Sequence, residues 1–238
     1  MASRAQLLRR AARLLALGAA LGLLACRGHA RDPDGTLDRV LATKAVRVLA
    51  VDHPPWVAAG GGPSPTGVEA ELVDALAREL GVAVEWRPAP AFEALGALDR
   101  GEADLAVGGL TSEEVAAHGT AAGTFACFAG ETVAARRPGV PPVRDIDGRR
   151  VLVPPDLIVA ALVRAEGGIP VAEGDADLVA LPRWRLSERG LVATEIVLGR
   201  AGHVLAVPKG ENAWIMRVER VPRREAGGVE ARLRRQDP

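Results

Sequence analysis

The residues best placed to do chemistry fall in one stretch, Gly101 to Thr111, reading GEADLAVGGLT. Leu105 to Val107 reads as a short buried strand that runs into two glycines and ends on a hydroxyl. Without a Cβ, the main chain at Gly108 and Gly109 is open to a small ligand. Thr111 can accept the first amide hydrogens of a following helix. That inventory is binding chemistry, since no nucleophile and base stand together in it. The alternative reading is an ordinary tight turn between a strand and a helix.

Other candidates lie on either side. In Asp52-His53-Pro54-Pro55-Trp56 the two prolines must turn a strand out of its sheet. Trp56 there can stack on a ligand or plug the loop, and His53 can line a cleft or sit in a solvated turn. Glu69 opens the next helical stretch, where a carboxylate favours the helix dipole. Asp156 can cap a helix, Leu157 to Ala165. Arg183 and Trp184 can face a cleft or the surface. Two cysteines and histidines at 29, 53, 118 and 203 give no metal-ligand spacing, and no cofactor motif is present.

The elements that position these residues alternate between strand and helix. Thr36 is expected to cap a helix over Leu37 to Ala42, followed by a strand over Val46 to Val51. Val68, Leu72, Val73, Leu76 and Leu80 form one helical stripe stopped by Gly81. Val82, Val84 and Trp86 alternate as a strand, and Phe92, Leu95 and Leu98 recur at helical spacing. Later strands are expected at Thr132 to Ala135, Val151 to Val153, Ile196 to Leu198 and Val204 to Val207. A helix over Trp214 to Arg220 is expected to end at Pro222. An open α/β sheet built this way presents its pocket at the carboxyl ends of its strands.

Four motifs in order resemble the amino-terminal lobe of the family 3 periplasmic solute-binding proteins of ABC importers. Asp52 to Trp56 is similar to that family's D-Y-P-P-F loop. Gly67-Val68-Glu69-Ala70-Glu71-Leu72 is similar to G-F-D-V-D-L, and Gly101-Glu102-Ala103-Asp104 with Gly109-Leu110-Thr111 to G-x-x-D and G-M-T. Asp145 to Gly148 before Val151 resembles the start of the second lobe. The resemblance implies a type II periplasmic-binding fold: two α/β lobes closing over a solute, the second lobe shortened between Val171 and Asp177. It divides the chain into lobe one (36–137), lobe two (138–200) and a return to lobe one with a carboxyl-terminal tail (201–238). It implies ligand contacts at His53, Trp56, Glu69, Gly109, Thr111, Glu114, Asp156, Arg183 and Trp184, and an ABC permease as partner.

The departures from that pattern bear on the ligand. Amino-acid binders of this fold use an arginine after the Gly-x-Thr loop and an acid in lobe two. Here Glu114 stands about where the arginine is expected, and Leu181-Pro182 where the acid is. An unpaired buried carboxylate costs several kcal/mol against about 8 kcal/mol of binding at micromolar affinity. A neutral or cationic solute is therefore expected in preference to a standard amino acid. The alternatives are an exported dehydratase of the cyclohexadienyl type, with His53 and Glu69 as acid–base groups, and a receptor that does not deliver to a transporter.

Across 238 residues the formal net charge is zero, but residues 1–25 hold four arginines and no acid. The rest carries −4, which leaves no basic field for nucleic acid. Those arginines precede an apolar run too short to span a bilayer, a signal-peptide pattern over 1–25. Leu23-Leu24-Ala25-Cys26 resembles a lipobox, which implies a lipid-anchored Cys26, a polar tether over 26–35 and an exported protein at the membrane's outer face. Cleavage after Ala30 is the alternative.

Overall fold

The computed structural model describes residues 32–236 apart from positions 61 and 63. The signal peptide expected over 1–25 and the lipidation expected at Cys26 lie outside the described residues. In chain order the elements are α1 (Thr36–Thr43), β1 (Ala45–Ala50), α2 (Val68–Leu80), β2 (Ala83–Pro88), α3 (Ala91–Asp99), β3 (Leu105–Val107), α4 (Ser112–His118), β4 (Ala121–Gly123) and β5 (Phe128–Arg136). There follow β6 (Arg150–Leu152), α5 (Leu157–Ala165), β7 (Ile169–Val171), β8 (Leu178–Pro182), β9 (Val192–His203), β10 (Ala206–Pro208), α6 (Asn212–Val218) and α7 (Arg220–Gln236).

The strands form two five-stranded sheets, ordered β2-β1-β3-β10-β4 and β7-β6-β8-β5-β9. In the first, β1 is parallel to β2 and β3, while β10 runs antiparallel to β3 and β4. This is the α/β architecture of two lobes, one mixed sheet in each, that the sequence resemblance implied. Apolar spacing sets the packing: Leu72, Val73, Leu76 and Leu80 of α2 pack on Val46, Val48 and Leu105 in the core of lobe one. Gly81 ends α2 in the left-handed conformation at φ 66°, with its amide bonded back to Ala77 and Arg78. The motif acid Asp104 is buried and ties Arg47 of β1 at 2.7 Å and Arg39 of α1 to the sheet.

Several elements differ from expectation for identifiable reasons. Phe92 is 79% exposed, and the buried stripe of α3 runs through Ala94, Leu95, Ala97 and Leu98. Thr36 does not cap α1; the Glu211 carboxylate, far along the chain, accepts the amides of Asp34 and Thr36 at 3.0 and 2.8 Å. The chain enters the second sheet at Phe128, earlier than the proline cluster at 138–142, because β5 pairs with β8 and β9. Beyond Leu198, β9 continues through Gly199, Ala201 and Gly202, residues of low strand propensity held by pairing with β5. Pro222 stands in the first turn of α7, where its missing amide is no loss, so it opens a helix rather than ending one.

Lobe two is short where the sequence indicated. No helix joins β7 to β8 across 172–177. One face of its sheet is covered by α5 through Val159, Ala160 and Val163. On the other face, Val133 and Ala135 are covered by Leu186 and Leu191, from the segment following β8.

Candidate functional site

The loop after β3 forms the first wall. Gly108 and Gly109 have φ of 137° and 71°, and a Cβ on Gly109 would meet Trp56 at 2.5 Å and His53 at 2.7 Å. Glycine is required here because the turn needs positive φ and the Trp56 and His53 rings lie against it. Both amides are already engaged. Glu69, at the start of α2 and fully buried, accepts Gly108 N–H at 2.6 Å and Gly109 N–H at 3.0 Å through Oε2. Its Oε1 is buried with no hydrogen-bond partner among the described residues. Burial pushes the Glu69 carboxyl up to about 7 against the opposing pull of the two amides.

The next turn is capped in the same manner. Thr111 Oγ1 accepts the Glu114 amide at 3.2 Å, and Glu114 Oε2 accepts Thr111 N–H at 2.8 Å, a capping box at the start of α4. The Thr111 hydroxyl donates to the same Glu114 oxygen at 2.8 Å. Thr111 is thus a helix cap, held by the acid that stands where an anion-binding arginine was expected.

Two imidazoles close over the loop carbonyls. His53 Nδ1 lies 3.2 Å from Gly108 O, and His203 Nδ1 lies 3.0 Å from Gly109 O. A carbonyl only accepts, so each ring carries its proton on Nδ1. Desolvation holds the His203 imidazole down at about 4, well below the ordinary range, so it is neutral at physiological pH. The Trp56 ring stacks on His203 at 3.9 Å between centroids, and Phe128 stands 6.0 Å from Trp56. Trp56 is only 3% exposed. It packs with Val68, with Trp184 of lobe two, and with Val229 and Leu233 of α7. The tryptophan thus plugs the junction between the lobes and is not a free stacking platform.

Lobe two offers a second turn of the same kind, after β6. There Pro154-Pro155-Asp156 leads into α5, and Asp156 Oδ1 accepts the amides of Ile158 at 2.8 Å and Val159 at 3.2 Å. Beside it Leu157 and Ile158 are 87% and 60% exposed. Arg183, just past β8, pairs with Glu131 at 2.9 Å, and Arg200 holds the same carboxylate at 3.0 Å. Those guanidiniums, Arg183 foremost, keep the Glu131 carboxyl below its usual range.

Residues 46–221 match the model for bacterial extracellular solute-binding proteins, family 3. The chain belongs to this family. Among solved structures, the fold of this family 3 protein resembles an ancestral cationic amino acid solute-binding protein, AncCDT-1, at 18% identity over 84% of this chain and 98% of that one, with a TM-score of 0.65. It also resembles the L-cystine solute receptor of Neisseria gonorrhoeae at 16% identity, over 84% and 97% of the two chains, with a TM-score of 0.64. At such identities the likeness is one of fold. A 90-residue segment is 41% identical to membrane-bound lytic murein transglycosylase F 1 of Alkalilimnicola ehrlichii, covering 36% of this chain. The match spans 18% of the length of that relative.

Within the family 3 frame, the structure gathers His53, Trp56, Glu69 and Gly109 around one loop, with Thr111 and Glu114 at its far end. Trp184 joins Trp56 in the apolar junction. Asp156 and Arg183 engage partners inside lobe two. Sequence reasoning did not single out His203 or Phe128. His203 follows Arg200-Ala201-Gly202 with no motif around it, and only the crossing of β9 back to lobe one brings it to Gly109.

Proposed function

We propose that this protein is an exported, lipid-anchored solute-binding protein that captures a small neutral or cationic molecule lacking a free carboxylate, and delivers it to an ABC permease. The observation that carries the ligand class is the state of the backbone donors. An α/β cleft holds an anion with amides at the loops after its strands. Here Glu69 fills the pair after β3, Glu114 the amide of Thr111, and Asp156 the pair after β6. A solute carboxylate would have to displace one of these or lie beside it unpaired, and an unpaired buried charge costs several kcal/mol. A donor-bearing solute meets no such penalty. The exposed Leu157 and Ile158 beside the Asp156 turn add apolar surface for its body.

The role is capture without turnover. Glu69 and His53 are the acid–base candidates of the dehydratase alternative. Glu69 is held by two amides and His53 by a carbonyl, which supports a structural role for both. The test is a thermal-shift screen of purified protein with spermidine, choline, glucose, L-glutamine, L-glutamate and L-arginine, with prephenate assayed for turnover. Stabilisation by amines, quaternary ammonium or sugar is expected. Stabilisation confined to the amino acids would overturn the ligand class, and prephenate consumption would overturn the non-enzymatic role. Cleavage and lipidation at Cys26 are checked by mass spectrometry of the membrane-extracted protein.

A further inference from the structure

His203 stands where β9 leaves the second sheet for the first. Its backbone ends the pairing of β9 with β5, opposite Phe128. The same residue forms an isolated bridge with Thr111 of lobe one, and the next amide, of Val204, donates to Leu110 O at 2.9 Å. Its carbonyl accepts the Cys127 amide at 2.8 Å, in the connection from β4 to β5 that also crosses between the sheets. Its ring touches both ligand loops of lobe one, bonding Gly109 O and stacking on Trp56. A residue at a crossing point absorbs the backbone change when two lobes move. A ring fixed at the same point reports the loop conformation to that crossing.

We propose that His203 is the positioning residue that couples the Gly108–Thr111 loop to the relative orientation of the two lobes, through its Nδ1–H bond to Gly109. The stack on Trp56 aims the ring, and the hydrogen bond carries the coupling. The inference takes the binding role above as its setting, but its test needs no solute. A failed solute screen leaves it intact, and its own failure leaves the binding role standing.

Two variants separate the parts. His203→Asn keeps a donor at the position of Nδ1 and loses the stack, while His203→Phe keeps the stack and loses the donor. Spin labels on Arg78→Cys in lobe one and Glu166→Cys in lobe two, both exposed, read the interlobe distance distribution, with Cys127 buried and unlabelled. Amide exchange at Gly108 and Gly109 reads the loop. In His203→Phe the distribution should broaden and exchange at the two glycines should rise at least tenfold. In His203→Asn both should stay within about threefold of the unmodified protein. Unchanged distances and exchange in both variants would overturn the proposal. Disruption in His203→Asn with His203→Phe unchanged would overturn the role of the hydrogen bond and give it to the stacked ring. Equal disruption in both would overturn it as well, since the retained donor would then protect nothing. If His203→Phe does not fold, His203→Asn against the unmodified protein decides, because disruption there contradicts the assignment.

Discussion

The turn after β3 and the turn after β6 meet the same need in different surroundings. In each, one of the protein's own carboxylates accepts two consecutive backbone amides, Glu69 in lobe one and Asp156 in lobe two. Glu69 is reached from another helix and is fully buried; Asp156 belongs to its own turn and is exposed. Water can replace Asp156 but cannot easily reach the amides under Glu69. The difference teaches that a donor pair is not a ligand site merely because glycines expose it, since burial decides who fills it.

The comparison can be broken most directly at Glu69. Glu69→Ala leaves two buried amides unpaired and should cost about 3 kcal/mol or more, read as a lowered midpoint in urea unfolding. A cost below about 1 kcal/mol would show that water or a neighbour takes over.

The next effect is one of pH. Glu69 binds its proton at about 7 in the folded chain against 4.5 ordinarily, so its contribution to stability falls as pH rises through that window. His203 titrates at about 4 when folded against 6.5 ordinarily, so its contribution rises with pH between those values. The two oppose each other where the windows overlap. Glu69→Gln should therefore unmask stability that increases from pH 4 to 6.5, and His203→Asn stability that decreases from pH 4.5 to 7, each by about 2–3 kcal/mol across its window. Parallel slopes in the two variants would contradict the burial of one of the groups.

Smaller effects sharpen the contrast. Asp156→Ala removes an exposed cap and should cost about 1 kcal/mol, well below Glu69→Ala in the same assay. Thr111→Ser keeps the capping oxygen and should cost only a few tenths of a kcal/mol in the same unfolding measurement. A larger loss would mean that the threonine methyl group packs against the bridge to His203.

Elements in both lobes were legible where their signals are local. The stripe ending at Gly81, the three-residue strand before Gly108 and the Asp156 cap each depend on neighbours within one or two turns. The engagement of the loop was not. Nothing in the spacing of Glu69 and Gly108 says that a side chain from α2 reaches two amides forty residues on, and the same holds for Glu211 at α1 and His203 at Gly109. Phe92 misled for the opposite reason: it fits the helical period, but it stands in the first turn of α3 outside the core, 79% exposed with the His118 ring edge-on at 5.1 Å. The continuation of β9 through two glycines was hidden because pairing, rather than propensity, holds it.

The sheet of lobe one takes β10 between β3 and β4, although β10 follows all of lobe two in the chain. Synthesis therefore delivers β4 before the strand that joins it to its neighbours exists. Until residues 206–208 appear, β3 keeps an open edge and β4 has no ladder. A ribosome-bound intermediate stalled near residue 200 should accordingly carry lobe one unfinished and open to chaperones or misplaced strands. The first lobe to be made is the last to be completed.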